Sequence, residues 1–180
     1  MLAESANRTK KGGQDLIGGL DVRVNRNHFG RQTESFQAPL DLPFLDNTGK
    51  DVHNGSTKPK LFNGVFIRAP VVEKLLPNVA GVQQGEAILV DTVIAPSKSS
   101  AEEGFPMSPV EVLGVLPGRG KKLQDKLASL ELRSEVGDII VVQQGNVLGT
   151  SFHPELTNDD RIHVWWLKQV LSSMNSNNGS

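Results

Sequence analysis

A histidine and a glutamate stand two residues apart in the segment 149–157, with Pro154 between them. Side chains at positions i and i+2 of an extended segment point to the same face, and proline keeps the preceding residue out of the helical region. His153 and Glu155 can therefore converge. A carboxylate that accepts from one imidazole nitrogen leaves the other free to take a proton, so the pattern predicts the base and orienting acid of a nucleophilic hydrolase.

Two other interpretations of this segment stay open. His153 could end a strand with a bond to the backbone, and Glu155 could begin a helix, where the dipole favours a carboxylate. His153, Glu155 and His163 could also ligate a metal, but His163 lies on a predicted helix whose phase is not tied to the strand end. We predict neither a metal site nor a cofactor.

The composition limits the chemistry that the chain can perform by itself. Its 180 residues, 37% hydrophobic and 22% charged, are typical of one soluble globular domain. The net charge of -1 provides no field for nucleic acid or an anionic membrane. No apolar run reaches the length of a membrane span and no secretion signal is apparent, so we predict a cytoplasmic protein. The absence of Cys excludes a cysteine nucleophile within these residues.

Alternating apolar residues predict several strands. Leu20, Val22 and Val24 alternate with polar residues, which is the period of a half-buried strand. Arg68 lies close to the end of another predicted strand, where open sheets tend to bind ligands. A hairpin around Gly145 is predicted over 138–153. The remaining predicted strands cover 34–40, 63–70, 86–95 and 110–116.

Helices are predicted at both ends of the chain and in one internal segment. Residues 1–6 suit a short helix, and leucines recur at helical spacing between 121 and 133. Thr157 is a suitable N-cap for a closing helix. The apolar face of that helix is predicted to consist of Ile162, Trp166, Val170 and Met174. We therefore predict one domain over 1–172 and a disordered tail over 173–180.

Three segments, in the same order along the chain, resemble those of the glutaminase subunits of pyridoxal 5'-phosphate synthase, a family of class I glutamine amidotransferases. They are RNHFGRQTESF (26–36), GVFIRAP (64–70) and QQGNVLGTSFHPELTNDD (143–160). The resemblance covers most of the chain except about 71–109 and 117–135, which we predict to be insertions. It implies an α/β, flavodoxin-like fold with a mixed sheet and flanking helices.

The resemblance also implies an activity and a set of site residues. Members of the family hydrolyse L-glutamine to glutamate and ammonia, which passes to the synthase subunit for vitamin B6 biosynthesis. Their His-Pro-Glu motif supplies base and orienting acid, which here are His153 and Glu155. Their glutamine contacts carry over to Arg26, Ile67 and Arg68. A guanidinium suits the α-carboxylate of glutamine, although surface ion pairs are the commoner role of such arginines.

This chain departs from the family pattern at the nucleophile. Family members carry a cysteine in a Gly-Thr-Cys-Ala-Gly elbow, which the resemblance places shortly before Met1, together with a Gly-Gly-Glu-Ser loop that stabilises the oxyanion. Ser151 does not replace the cysteine, because it does not lie on an elbow. We therefore expect an N-terminally truncated fold that is inactive alone. The alternative is a natural short form that binds or regulates the synthase subunit without catalysis.

Absent strands would also affect folding. The central strands of an open parallel sheet are buried on both faces, so their removal uncovers apolar surface and strand edges. We predict that the isolated chain is poorly soluble or partly unfolded. Thermal unfolding of the purified monomer measures this directly, and a sharp cooperative transition would contradict the prediction.

Overall fold

The computed structural model describes most of the chain in eight ranges: 1–8, 15–26, 28–29, 35–46, 60–77, 82–96, 108–117 and 137–177. Its strands are β1 Ala3–Asn7, β2 Leu20–Asn25, β3 Phe36–Leu40, β4 Phe62–Phe66, β5 Val71–Leu75, β6 Thr92–Ile94, β7 Glu111–Leu116, β8 Asp138–Gln144 and β9 Val147–Thr150. The helices are α1 Val82–Ala87 and α2 Arg161–Asn177, with 3-10 turns at Pro43–Leu45 and Pro154–Leu156. The predicted helix over 121–133 lies outside the described residues.

The strands form two sheets. Seven of them make a mixed sheet in the order β6-β1-β2-β5-β8-β7, with β9 paired to β8, and β3 pairs with β4 in a second sheet. β1 and β2 are parallel, whereas β5 runs antiparallel to both β2 and β8. The predicted α/β fold with a mixed sheet and flanking helices is confirmed. No helix in the described ranges is long and apolar enough to span a membrane.

The helix predicted over residues 1–6 is wrong. Ala3–Asn7 is strand β1, which pairs with β2 on one edge and with β6 on the other. Its first four residues are buried, so side chains on both faces of the strand are covered. Helix propensity is a weak preference, and the two ladders together with burial on both faces outweigh it here.

Most of the other strand predictions are confirmed. Strands β2, β3, β4 and β7 and the β8–β9 hairpin all form, although β4 ends at Phe66 rather than at Pro70 and β9 ends at Thr150 rather than at His153. The predicted strand 86–95 is wrong in its first half, which belongs to α1 and a turn. Strand β5 was not predicted, because VVEKL carries no alternating pattern. Its position between β2 and β8 makes it a strand.

The start of the closing helix differs from its prediction. Thr157 does not cap α2, because the helix begins only at Arg161 and the Thr157 amide donates to the Pro154 carbonyl across the 3-10 turn (3.3 Å). The first helical bond of α2 runs instead from the Val164 amide to the Asp160 carbonyl (2.9 Å). The turn that carries Glu155 is therefore a separate unit, and α2 begins at Arg161.

The predicted apolar face of α2 is confirmed only in part. Ile162 is buried, but Trp166 and Met174 are exposed, and Trp165 packs edge-on against Phe44 with 4.9 Å between ring centroids. Only the first turns of α2 reach the core, which is why the contact surface is shorter than the sequence pattern. The helix continues to Asn177, within the range 173–180 that the sequence predicts as a disordered tail.

A buried cluster of apolar side chains joins the two sheets to the start of α2. Phe62 and Phe66 of β4 lie at its centre and contact the Phe152 ring, with centroid distances of 5.5 and 5.6 Å. Full burial of such a ring contributes about 2–3 kcal/mol. The strand that precedes Ile67 and the segment that precedes His153 are thus held in one core.

Glu86, at the end of α1, lies in a buried polar network. Its carboxylate accepts from Arg23 Nη1 (2.9 Å), Lys74 Nζ (3.2 Å) and Ser5 Oγ (3.1 Å). Arg23 Nε also donates to Glu73 (3.0 Å). Burial alone would raise the pKa of Glu86, but these three hydrogen bonds outweigh it and hold the pKa below its ordinary value. The network fastens α1 to β1, β2 and β5.

Replacing Glu86 with Gln is expected to lower the free energy of unfolding by about 2 kcal/mol at neutral pH, because Arg23 loses a buried charged partner. The folded-state pKa is depressed, so this contribution is present above the unfolded-state pKa and is lost as pH falls through the folded value. Urea denaturation of the parent and of the variant should therefore show that the difference between their free energies of unfolding becomes smaller from neutral to acidic pH.

The matched control for this network is Glu73→Gln. The Glu73 side chain is 42% exposed and that of Glu86 is 5% exposed, although both pair with Arg23. An exposed ion pair contributes about 1 kcal/mol or less, so the control should change stability little. Equal losses in both variants, or a loss for Glu86→Gln that does not depend on pH, would contradict the assigned role of the charge.

Candidate active site

The structure brings His153 and Glu155 together. His153 has an extended backbone and precedes the 3-10 turn Pro154–Leu156, in which Glu155 is the middle residue. His153 Nδ1 lies 2.8 Å from Glu155 Oε1. The two side chains are 41% and 59% exposed. A pair with this geometry and exposure is open to a substrate.

Strand β4 and the residue after it hold the other side of His153. The His153 amide donates to the Val65 carbonyl (2.8 Å), and His153 Nε2 lies 3.4 Å from the Ile67 carbonyl oxygen. A separation of 3.4 Å is at the limit of a hydrogen bond, so Nε2 is not committed to this carbonyl. The ring is therefore fixed in position while one nitrogen stays available for proton transfer.

The carboxylate of the pair is stabilised in its charged form. The hydrogen bond with His153, followed by a bond from the backbone amide of Glu155 itself, lowers the pKa of Glu155. An ionised carboxylate only accepts hydrogen bonds, so a neutral His153 must carry its proton on Nδ1. The lone pair of Nε2 is then free to act as a base.

Replacing Glu155 with Ala is expected to change the tautomer of His153. The parent chain should show the Nδ1–H form at about pH 8, where a free imidazole is neutral, because the carboxylate selects that form. The variant should move toward the Nε2–H form that an unpartnered imidazole favours. The ¹⁵N chemical shifts of the ring nitrogens distinguish the two forms.

His28 provides an internal reference in the same spectra. Its Nε2 lies 2.7 Å from Asp138 Oδ1, so its carboxylate partner is not the residue that is replaced, and its ring shifts should not change in the variant. An unchanged Nδ1–H signal of His153 in Glu155→Ala would show that the carboxylate does not select the tautomer.

Ile67 and Arg68 follow β4 and lie beside the histidine. The Ile67 carbonyl faces the ring of His153, and the side chains of both residues are exposed. Arg68 has a φ of 49°, which is uncommon for a residue other than glycine. Strand β4 has already ended at Phe66, and Arg68 lies in the bend after it, before the buried Ala69. Strained residues of this kind are concentrated at ligand sites.

Arg26 lies at the end of β2, close to the turn that carries Arg68. Asn25 pairs with Val71, so one further step of this register sets Arg26 opposite Pro70. The Arg26 amide donates to Asn7 Oδ1 (2.7 Å). Burial lowers the pKa of Arg26 and the charge of Asp15 opposes this, but a guanidinium remains a cation. Two arginines therefore lie toward the same end of the sheet.

Sequence similarity identifies the family of this chain. The model of the SNO glutamine amidotransferase family matches residues 3–99 and 118–172. The chain belongs to this family. The match is interrupted at 100–117, so it includes most of the two ranges, 71–109 and 117–135, that were predicted to be insertions.

Curated relatives of this SNO-family chain have names that refer to pyridoxal 5'-phosphate synthase. A probable synthase subunit PDX2 of Arabidopsis thaliana is 35% identical over 169 residues, which is 94% of this chain and 53% of that protein. Subunit PdxT of Methanosarcina acetivorans is 33% identical over 173 residues, 96% of this chain and 55% of that protein. The chain spans about half the length of these relatives.

A solved structure described as a crystal structure of glutamine amidotransferase is 30% identical, with a TM-score of 0.48. The alignment covers 93% of this chain and 53% of that one. The resemblance to glutaminase subunits of pyridoxal 5'-phosphate synthase is confirmed by the family match and the curated relatives.

Some contacts around the site of this SNO-family member were not predicted from the sequence. The Val65 carbonyl that receives the His153 amide, and the pairing of His28 with Asp138, involve residues to which no role was assigned. In the ranges that the structure describes, no three His, Asp or Glu side chains are grouped closely enough to hold a metal ion. Backbone carbonyls leave no signal in sequence patterns, whereas His28 stands within the first quoted motif.

Proposed function

We propose that this chain is the part of a pyridoxal 5'-phosphate synthase glutaminase subunit that supplies the catalytic base, its orienting carboxylate and the glutamine contacts. The observation that carries the proposal is the His153–Glu155 pair, with Nδ1 at 2.8 Å from the carboxylate and Nε2 facing the Ile67 turn. This arrangement suits transfer of a proton to and from a substrate beside the turn.

The proposed reaction begins with a thiol that these 180 residues do not contain. His153 Nε2 takes the thiol proton, and the sulfur attacks the side-chain amide carbon of L-glutamine. The imidazolium then returns the proton to the leaving nitrogen, the C–N bond breaks and ammonia departs. Water hydrolyses the resulting thioester to glutamate. Glu155 stabilises the imidazolium during both steps.

The proposed substrate contacts come from the two segments beside the pair. Arg26 and Arg68 are cations toward one end of the sheet, and a guanidinium can donate two parallel hydrogen bonds to the α-carboxylate of glutamine. Ile67 provides apolar contact for the aliphatic part of the substrate. The proposed partner is the synthase subunit, which consumes the ammonia.

Because these 180 residues contain no cysteine, the proposal has two versions. In the first, the thiol and the oxyanion donors belong to a segment outside these residues, and the chain alone is inactive. In the second, the chain is a non-catalytic short form that binds or regulates the synthase subunit. We favour the first, because the His153–Glu155 geometry of a working pair is retained.

The test compares two polypeptides in the presence of the synthase subunit. One is this chain, and the other, the joined polypeptide, is the amino-terminal half of the Arabidopsis relative followed by this chain. We expect glutamate and ammonia release from the joined polypeptide and none from the chain alone. A joined polypeptide whose elbow cysteine is replaced by alanine is the matched control.

Each other result has a distinct meaning. An inactive joined polypeptide, together with a chain that still binds the synthase subunit, would favour the non-catalytic short form. Turnover by the chain alone that is lost in His153→Ala would overturn the claim that the thiol comes from outside. Release of ammonia that persists without the elbow cysteine would overturn the covalent mechanism.

A further inference from the structure

Arg161, the first residue of α2, contacts two separate segments of the chain. Its Nε and Nη2 donate to the two carboxylate oxygens of Asp159 (2.9 and 2.7 Å). Its Nη1 donates to the Lys60 carbonyl (2.8 Å) and its Nη2 also donates to the Leu61 carbonyl (3.1 Å). The side chain is only 13% exposed. Arg161 thus joins Asp159 to a segment about one hundred residues earlier.

The two joined segments carry the two sides of the His153 environment. Lys60 and Leu61 immediately precede β4, which provides the Val65 carbonyl to the His153 amide and leads to the Ile67 carbonyl beside Nε2. Asp159 follows the turn that contains Glu155. A change in the spacing of these segments would change the position of the imidazole between Glu155 and Ile67.

The connection from Asp159 back to the pair is itself held by hydrogen bonds. Thr157 Oγ1 donates to the Pro154 carbonyl (2.9 Å) and accepts from the Asp159 amide (3.3 Å). These bonds close the chain between Pro154 and Asp159 into a compact turn. The guanidinium carbon of Arg161 also lies 5.9 Å from the centre of the Phe62 ring, which fixes it over β4.

We propose that Arg161 is a positioning residue that sets the geometry of the His153–Glu155 pair by clamping β4 to the 154–159 turn. Simultaneous donation from one planar group to both oxygens of a carboxylate and to two carbonyls requires the fork of a guanidinium. A lysine ammonium is a point charge and cannot hold both segments in the same way. The effect on catalysis rests on the proposed function, whereas the effect on the geometry does not.

The first test measures geometry without activity. The full chain labelled with ¹⁵N-histidine is compared as parent, Arg161→Met and Arg161→Lys at about pH 8, where a free imidazole is neutral. We expect the fraction of His153 in the Nδ1–H form to fall by about half in Arg161→Met, with partial recovery in Arg161→Lys. Lys168→Met, on the exposed part of α2, is the matched control and should leave the spectrum unchanged.

Two precautions keep the first test decisive. The joined polypeptide provides the same spectra where the chain alone does not stay in solution. If Arg161→Met does not fold, Asp159→Asn weakens the same clamp with little change of shape and replaces it. A folded variant that loses thermal stability but keeps the His153 tautomer would show that Arg161 is only structural, and would overturn the proposal.

The second test separates turnover from binding in the joined polypeptide. Misplacement of the base should lower kcat about 10- to 100-fold in Arg161→Met while KM changes less than about 3-fold. An unchanged kcat would overturn the positioning role. A joined polypeptide with no activity in any variant would count against the proposed function instead, and the His153 spectra would still decide the role of Arg161.

Discussion

Replacing His153 with Ala in the joined polypeptide is expected to lower kcat for glutamine hydrolysis by about 10⁴-fold or more. The base, its carboxylate and the nucleophile act as one unit, so loss of one member removes most of the rate that the others provide. Nδ1 is held at 2.8 Å from Glu155, and no other histidine of the described residues has this contact. Glutamate release under saturating glutamine measures the effect.

The matched control is His163→Ala. His163 is exposed on the first turn of α2. The pKa of Glu155 is lowered mainly by the hydrogen bond with His153 and then by the Glu155 amide, and His163 makes a smaller contribution in the same direction. We expect a change in kcat of less than about 5-fold, since exposed charges interact weakly. Comparable losses in the two variants would contradict the assignment of His153 as the base.

Replacing Phe66 with Ala is expected to lower the free energy of unfolding of the joined polypeptide by about 3–5 kcal/mol. The Phe66 side chain is 1% exposed and is stacked on Phe36 with 4.6 Å between centroids. It also contacts the rings of Phe29 and Phe152 at 5.9 and 5.6 Å. Removing the ring leaves a cavity where the two sheets and the segment before His153 meet. Urea denaturation measures the loss.

The same variant should also weaken substrate binding. Phe66 directly precedes Ile67, and its contact with Phe29 links the turn at Arg68 to the segment that begins with Arg26. We expect KM for glutamine to rise about 10-fold. A shift of about 1 Å in the backbone that carries the proposed substrate contacts is enough to weaken them. Leu61→Ala, on an exposed side chain near the same strand, should change stability by less than about 0.5 kcal/mol. A similar loss in that control would contradict the role of the Phe66 core.

Strands with a clear local pattern could be predicted from the sequence. Leu20, Val22 and Val24 alternate with polar residues, and β2 forms there. Residues 1–6 have good helix formers, but β1 forms instead because β2 and β6 satisfy both of its edges. β5 has no alternating pattern and exists because it lies between β2 and β8. Pairing between distant segments overrides weak local preference in both cases.

The candidate site also has parts that a local sequence pattern predicts and parts that depend on contacts between distant segments. Pro154 keeps His153 extended, and the predicted convergence of His153 with Glu155 is observed. The extended backbone assumed for Glu155 is not, because Glu155 lies in the 3-10 turn Pro154–Leu156, which brings its carboxylate to Nδ1. The position of Arg26 relative to Arg68 depends on the register of β2 with β5. The contacts of Arg161 span about one hundred residues, and no spacing in the sequence indicates them.

The sequence by itself determined the family, through three ordered motifs, and indicated that His153 and Glu155 can converge, although the 3-10 turn that brings them together was not predicted. Only the tertiary structure decided what lies on the other side of the imidazole. The Val65 and Ile67 carbonyls reach His153 because β4 is packed in the aromatic core and clamped by Arg161. Hydrogen bonds between distant segments depend on how whole strands pack, and this information is not present in the spacing of neighbouring residues.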